Sequence, residues 1–363
     1  MITELRVHSI RVFDEVRMEF PQGIIVLLGE NGTGKTTILE SISVLYTLRS
    51  FRTRRLKEMH RNGCPSAVID GVIDQHQLRV ELKPSGKNLI KDGQKVSSMK
   101  AFCEGMTTIT LAPEHQALLD GGPEETRRYL DQTLFSLNPN YLALVQNYHR
   151  ALKHKQALLK AKLPFHIYKD QVLPWNQTMI STGGEIRELR KTLTHDLDPI
   201  VFNNFGKLAQ SKGRTTLRYR ESQDSMEEEI FKSSFSEYRS GKALFGPHRD
   251  CMEILFNGVP CHAQASQGER TAVLLALKLA ELDILEERKA ARPILLLDDV
   301  STTLDEERRD QLFSKIGEKA SQVLISTFDL GVCKKIKQIG GHLFRKEESL
   351  SPFGFSIARW IPA

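Results

Sequence analysis

The sequence predicts an α/β protein, a phosphate-loop head of mixed β-sheets with flanking helices into which an α-helical arm is inserted. Three observations carry that prediction. Apolar strand-like runs alternate with helix-like ones near both ends of the chain, which implies a doubly wound, parallel part of the sheet. A glycine-rich loop joins one such strand to its helix, and the periodicity turns wholly helical between residues 123 and 212. The division that follows is 1–122 for the first part of the head, 123–212 for the arm, and 213–363 for the second part of the head.

Residues 2–20 read as two short strands around a turn, and GIIVLL (23–28) as a buried strand. A helix from Lys35 to Leu48 follows, with Ile38, Leu39, Ile42, Leu45 and Tyr46 on its inner face. In RSFRTRRLK (49–57) five of nine residues are basic. Alternation over 67–83 predicts antiparallel strands, and KDGQK (91–95) a hairpin turn. From Leu130 to Tyr148 apolar residues recur at helical steps, with Asn138-Pro139 as a fresh start. Breaks are expected near Pro164, Pro174 and Gly183-Gly184, which limits each arm helix to about 35 residues, roughly 50 Å. The mixed pattern then returns: a strand in LRYRES (217–222), an acidic helix over 226–238, a strand in CMEILFNG (251–258) and an apolar helix over 269–287. The last elements are a strand in PILLLDD (293–299), a helix from Asp305, and a strand in QVLIST (322–327).

Bulk composition narrows the class. With 363 residues, 40% apolar and 26% charged, the chain is an ordinary globular one. The excess of 51 Lys and Arg over 45 Asp and Glu is mild and suits an anionic partner without requiring one. Five cysteines lack any C-x-x-C spacing, which indicates neither zinc nor a disulfide framework and fits reduced cysteines in the cytoplasm. The N-terminus has no signal-peptide pattern, and no apolar run reaches membrane-spanning length, so no membrane partner is expected.

GENGTGKT fits G-x-x-x-x-G-K-[ST] at every fixed position, with an apolar strand before it and a helix after it. Glycines let the backbone amides of Gly29, Glu30, Asn31, Gly32, Thr33, Gly34, Lys35, Thr36 and Thr37 curl around phosphates at a helix N-terminus. Lys35 is then expected to reach the β- and γ-phosphates of ATP, and the Thr36 hydroxyl to ligate Mg²⁺. ILLLDD ends a strand in two acids. Asp298 is expected to hold Mg²⁺ directly or through water, and Asp299 to polarise an attacking water. Ser266, Gln267 and Gly268 open the long apolar helix as a second anion site, although Ser266 with Glu269 is also the spacing of a helix capping box.

The order of these motifs, closed by STTLD (301–305), resembles that of the ABC ATPases. That resemblance implies an ABC-type ATPase head. Ser266 to Gly268 would be a signature motif that contacts the γ-phosphate held by another copy, and 301–305 a loop crossing the dimer seam. Within that superfamily the chain is similar, over nearly its whole length, to the RecF family of bacterial recombination mediators. The stretches that carry the likeness are GENGTGKTTILESISVLYTLRSFRT, APEHQALLDGGPEETRRYLDQTL, LFGPHRD, SQGERTAVLLALKLAE and PILLLDDVSTTLDEERR. The resemblance implies an ATP-induced homodimer with weak, DNA-stimulated ATPase activity that acts as a switch. It also implies binding of double-stranded, gapped or junction DNA, the partners RecO and RecR, and indirect service to RecA in recombinational repair, replication restart and the SOS response to DNA damage. Two departures stand out. Asp299 replaces the glutamate of ABC proteins generally, and Thr327-Phe328-Asp329 replaces their histidine, which predicts slow turnover.

Basic residues are the candidates for DNA phosphates: Arg49, Arg52, Arg54, Arg55 and Lys57 in the head, with Arg150, Lys153, Lys155, Lys160 and Lys162 on the arm. A solvated helix face explains the arm cluster equally well. Arg249 in GPHRD serves the nucleotide, the dimer seam or the fold, and Glu114 or Gln116 senses Mg²⁺. Two other function classes compete: an ABC-type switch acting on a protein, with incidental DNA binding, and a small-molecule kinase, which needs no signature helix.

Overall fold

The structure, a computed structural model, describes residues 1–120, 122–208, 213–222, 230, 234–289, 292–299, 316, 320–350 and 356–363. Their contacts gather into two units, Met1–His115 with Glu281–Ala363, and Gln116–Ala280. The expected seam loop 301–305 and the start of the helix from Asp305 lie outside the described residues, as do 226–229 and 231–233 of the expected acidic helix.

Fifteen strands are described. They are β1 (Ile2–Ile10), β2 (Phe13–Glu19), β3 (Gly23–Leu28), β4 (Ala67–Ile73), β5 (His76–Lys83), β6 (Gly86–Lys91), β7 (Gln94–Val96) and β8 (Thr108–Leu111), then β9 (Thr215–Arg220), β10 (Cys251–Phe256) and β11 (Val259–Pro260), and finally β12 (Ile294–Asp298), β13 (Gln322–Thr327), β14 (His342–Leu350) and β15 (Ser356–Pro362). In the first unit twelve of them form one sheet in the order β7-β6-β5-β4-β1-β2-β15-β14-β3-β13-β12-β8. The wing from β7 to β2 is antiparallel. Its tight turns place Asp74-Gln75 and Asp92-Gly93 at positive φ, the twist that a two-residue hairpin needs. From β14 through β3, β13 and β12 to β8 every pairing is parallel. Every residue of β12 and β13 is buried, as parallel strands covered on both faces require. Helix α1 (Lys35–Thr47) packs on β12, β13 and β4, burying eleven of its thirteen residues.

The second unit holds α2 (Pro123–Leu137), α3 (Tyr141–Lys160) and α4 (Phe165–Leu208), together with the antiparallel sheet β11-β10-β9. The sequence grouped residues from 213 onward with the head. The contacts instead join β9 to α4 and β10 to α2, so the second unit continues to Ala280. The arm also differs from expectation. Only the break at Pro164 is seen, and α4 runs 44 residues through Pro174, Gly183-Gly184 and Pro199, about 66 Å at the usual rise. Tyr168, Val172, Met179, Ile186, Leu193, Leu197, Val201 and Phe205 are buried along it. At roughly 1.5–3 kcal/mol per large apolar side chain, that stripe outweighs interior prolines costing about 3 kcal/mol each. Helix α5 (Gln267–Lys289) closes the second unit and carries the chain back into the first.

Candidate functional site

Parallel pairing brings the C-terminal ends of β3, β12 and β13 to one edge of the sheet, where ligands of open α/β sheets bind. β3 runs into the loop Gly29–Thr36, whose Gly29 N–H donates to the Thr327 carbonyl at 3.3 Å. Gly32 and Gly34 have φ of 84° and 98°, a left-handed backbone in which a side chain is strained. At Gly34 a Cβ would also lie 2.2 Å from the Phe13 ring. Gly34 caps α1 without a side-chain acceptor, so the first-turn amides of Lys35, Thr36 and Thr37 are left for an outside anion. Glu30, Asn31 and Gly32 form the exposed rim, and the Thr33 hydroxyl donates to the Glu30 carbonyl at 2.8 Å.

Lys35 is buried at the mouth of this loop, where its Nζ donates to the carbonyls of Gly29 at 2.7 Å and Glu30 at 2.8 Å. Burial draws its pKa below the usual lysine range, and Asp299 and Asp298 oppose that shift. Asp298 is 4% exposed. Its Oδ1 accepts from the Thr36 hydroxyl at 2.9 Å and from the Ser326 hydroxyl at 2.5 Å. Burial raises its pKa; the hydrogen bonds from Ser326 and Thr36 pull it down, while the charges of Glu114 and Asp299 push it up. Asp299 is held in the left-handed region at φ 49°, and its N–H donates to the same Ser326 hydroxyl at 3.0 Å.

Ser326 is the residue that sequence reasoning missed. The available signal was a hydroxyl directly after the apolar run Val323–Ile325 of β13, at the position paired in register with Asp298. Glu40 was missed as well. It is fully buried and accepts from Arg11 at 2.9 Å and from the Ser50 hydroxyl at 2.5 Å. Ser50 in turn accepts the amides of Arg52 and Thr53 at 3.0 and 2.9 Å, so α1 is tied to the basic segment 49–57.

Of the two candidate Mg²⁺ sensors, Glu114 stands in the first unit. It acts on Asp298 and pairs with Arg52 at 3.4 Å. Gln116 belongs to the second unit, and its buried Oε1 has no hydrogen-bond partner among the described residues. Arg52, Arg54, Arg55, Lys57 and Lys153 are exposed. Lys155 is a correction: its side chain is 0% exposed, with Nζ 2.6 Å from the equally buried Glu237, so it cannot reach a nucleic-acid phosphate.

At the start of α5 the capping box is formed. The Ser266 hydroxyl donates to the Glu269 carboxylate at 2.7 Å and accepts the Glu269 amide at 3.3 Å. Ser266 and Gln267 are exposed, Gly268 is half-buried, and Arg270 pairs with Asp120.

Among the described residues no group of three or more His, Cys, Asp or Glu is arranged to hold a metal, and no helix is long and apolar enough to cross a membrane. A hydroxyl and a carboxylate 2.9 Å apart, beside a phosphate cradle, nonetheless suit Mg²⁺, which takes few protein ligands and completes its shell with phosphate oxygens and water.

Residues 1–350 match the family model described as the RecF/RecN/SMC N-terminal domain. The chain is 33% identical over 369 residues to the DNA replication and repair protein RecF of Synechococcus sp. (strain JA-2-3B'a(2-13)), covering 94% of this chain and 97% of that one. It is 30% identical to the RecF of Geobacter sulfurreducens, with 92% and 94% covered. The fold is similar to the structure of the recombination mediator protein RecF with ATP in the RecFOR pathway, with a TM-score of 0.84, 24% identity and 95% of each chain covered. It is also similar to an Smc head bound to the C-terminal winged-helix domain of ScpA, with a TM-score of 0.56, 15% identity, and 99% and 97% covered.

Proposed function

The chain belongs to the RecF family within the RecF/RecN/SMC group, and from that premise we propose that it is an ATP-binding switch of DNA replication and repair. ATP sits on the amides of Gly29–Thr37, with Lys35 reaching from its present carbonyl partners to the β- and γ-phosphates. Thr36 and Asp298 hold Mg²⁺, which when bound offsets the charge on the phosphate oxygens. Asp299 orients the attacking water. As the shorter of the two carboxylic side chains it holds that water loosely, so hydrolysis is slow. Ser266, Gln267 and Gly268 complete the site from a second copy, and ATP becomes the bridge between two protomers.

The observation that carries this reading is the Thr36–Asp298–Ser326 cluster at the mouth of a loop that only glycine can form at Gly34. The dimer closes on double-stranded, gapped or junction DNA in the cytoplasm and, with RecO and RecR, prepares it for RecA. Arg52, Arg54, Arg55, Lys57 and Lys153 supply phosphate contacts.

The test is the size of the protein in solution with ATP, with ADP and without nucleotide, for wild type and Asp299→Asn. Only the ATP-loaded forms are expected to dimerise, and Asp299→Asn to remain dimeric. Affinity for gapped DNA at moderate salt should rise with ATP. If ATP leaves that affinity unchanged, the partner is a protein instead, and a monomer that hydrolyses at full rate on dilution overturns the switch itself.

A further inference from the structure

The turn Gly246–Asp250, sequence GPHRD, is fixed from several sides by the second unit. Gly246 has φ 124°, and a Cβ there would lie 2.3 Å from the Tyr148 hydroxyl. That hydroxyl is 2.6 Å from His248 Nδ1. The Pro247 carbonyl accepts from Arg190 at 2.7 Å, and the Asp250 carbonyl from Arg127 at 2.7 Å. The Asp250 carboxylate takes a two-pronged contact from Arg187 at 2.8 and 3.0 Å, the Tyr219 hydroxyl at 3.0 Å and the Ser222 amide at 2.7 Å. Within the turn, the Arg249 amide donates to the Gly246 carbonyl at 2.8 Å.

Arg249 is the exposed residue of this turn; Gly246, Pro247 and Asp250 are buried and His248 half-buried. Three of the cations behind the turn are matched locally, Arg187 by Asp250 and Glu221, Arg190 by Asp131, and Lys155 by Glu237, while Arg127 is held by the Asp250 carbonyl. Arg249 has no ion pair with any described residue. The surrounding bonds run to the backbone and to the other side chains, which keeps the turn in place whatever residue 249 is. The rigid turn fixes the backbone from which Arg249 projects, and a planar guanidinium matches two oxygens of a phosphate.

We propose that Arg249 is a phosphate-binding residue, presented by a preorganised turn to the phosphate of a DNA backbone or of a nucleotide. The proposal rests on the nucleotide- and DNA-binding reading above and assigns it a residue.

Full-length wild type, Arg249→Ala and Arg249→Lys decide it, by melting temperature, ATP titration without DNA, and duplex-DNA affinity with ATP across a salt series. Melting temperatures should agree. If DNA supplies the phosphate, Arg249→Ala should weaken DNA binding roughly tenfold at low salt and reduce the slope of log affinity against log salt by about one, with Arg249→Lys restoring the slope. If a nucleotide supplies it, the ATP titration shifts instead. Unchanged affinity for both ligands in Arg249→Ala overturns the proposal. So does a lower melting temperature, which would assign Arg249 to the fold. Wild type that fails to bind DNA at all refutes the DNA-binding reading, and the ATP titration then decides Arg249 alone.

Discussion

A single hydroxyl, that of Ser326, holds both acids of the nucleotide site. It donates to the Asp298 carboxylate and accepts the Asp299 amide, which fixes the carboxylate facing Thr36 and the left-handed bend after it. Ser326→Ala removes both contacts, and unpaired polar groups of this kind cost about 1–3 kcal/mol. Hydrolysis should therefore fall roughly tenfold or more, while ATP affinity, which the proposed function assigns mainly to the loop amides and Lys35, changes little. Steady-state turnover beside nucleotide titration checks this, and Ser326→Thr should recover part of the rate. Gly34→Ala acts on binding instead. A methyl group there is strained by φ 98° and collides with Phe13, so nucleotide affinity should be lost in the same titration while the helical arm remains folded by circular dichroism. His248 gives a pH dependence. Burial lowers its pKa to about 4; its bond to the Ala243 carbonyl opposes that, and the charges of Arg249, Lys155 and Arg127 add to it. Since the unfolded imidazole titrates near 6.5, its neutral packing contributes fully above that pH and is lost as pH falls from 6.5 through 4. His248→Gln should flatten the loss of denaturation midpoint between pH 7 and 5 relative to wild type.

Among the elements, the arm shows most clearly what sequence patterns reveal and what they hide. Lys155 reads as one of a run of surface cations, yet its position continues the buried series Tyr148, Ala151 and Leu152 toward Leu159 on α3. The helical period marks it as inward-facing; charge alone marks it as outward-facing, and a distant Glu237 on the helix Ser234–Ser240 decides between them. Breaking such a pair strands the remaining charge, so Lys155→Met should destabilise the protein by about 3–5 kcal/mol in urea melts. Adding Glu237→Leu should return much of that loss, though not all, because Glu237 also accepts the Leu244 amide at 2.8 Å. DNA affinity should not change in the double variant. The prolines of α4 teach the complementary lesson. Local propensity predicted breaks at Pro174 and Gly183-Gly184, but burial along 44 residues outweighed it, and that burial depends on partners far away in sequence.

For the molecule as a whole, the strand–loop–helix around Gly29–Thr36 and the strand ending at Asp298 were legible because each is a short local pattern, and the class of fold followed from the alternation of strands and helices. The limits of the units were not. A compact unit is defined by contacts, and the packing of β9 on α4 and of β10 on α2 carries residues 213–280 away from the head to which their strand pattern assigned them. That division places Lys35 in the first unit and Ser266 in the second, each at the N-terminal end of a helix. If the working site takes the loop of one protomer and the Ser266 turn of another, two inactive variants should complement. Lys35→Ala spoils the loop and keeps the turn, whereas Ser266→Arg spoils the turn and keeps the loop. Mixed dimers then hold one intact site and one doubly defective site. Random pairing of an equal mixture makes half of the dimers mixed, so roughly a quarter of wild-type ATPase activity should return if the two sites act independently. Each variant alone should be near background at every concentration. Recovery that never rises above the average of the two separate rates would mean that each protomer works with its own residues, and the dimer would then have no part in hydrolysis.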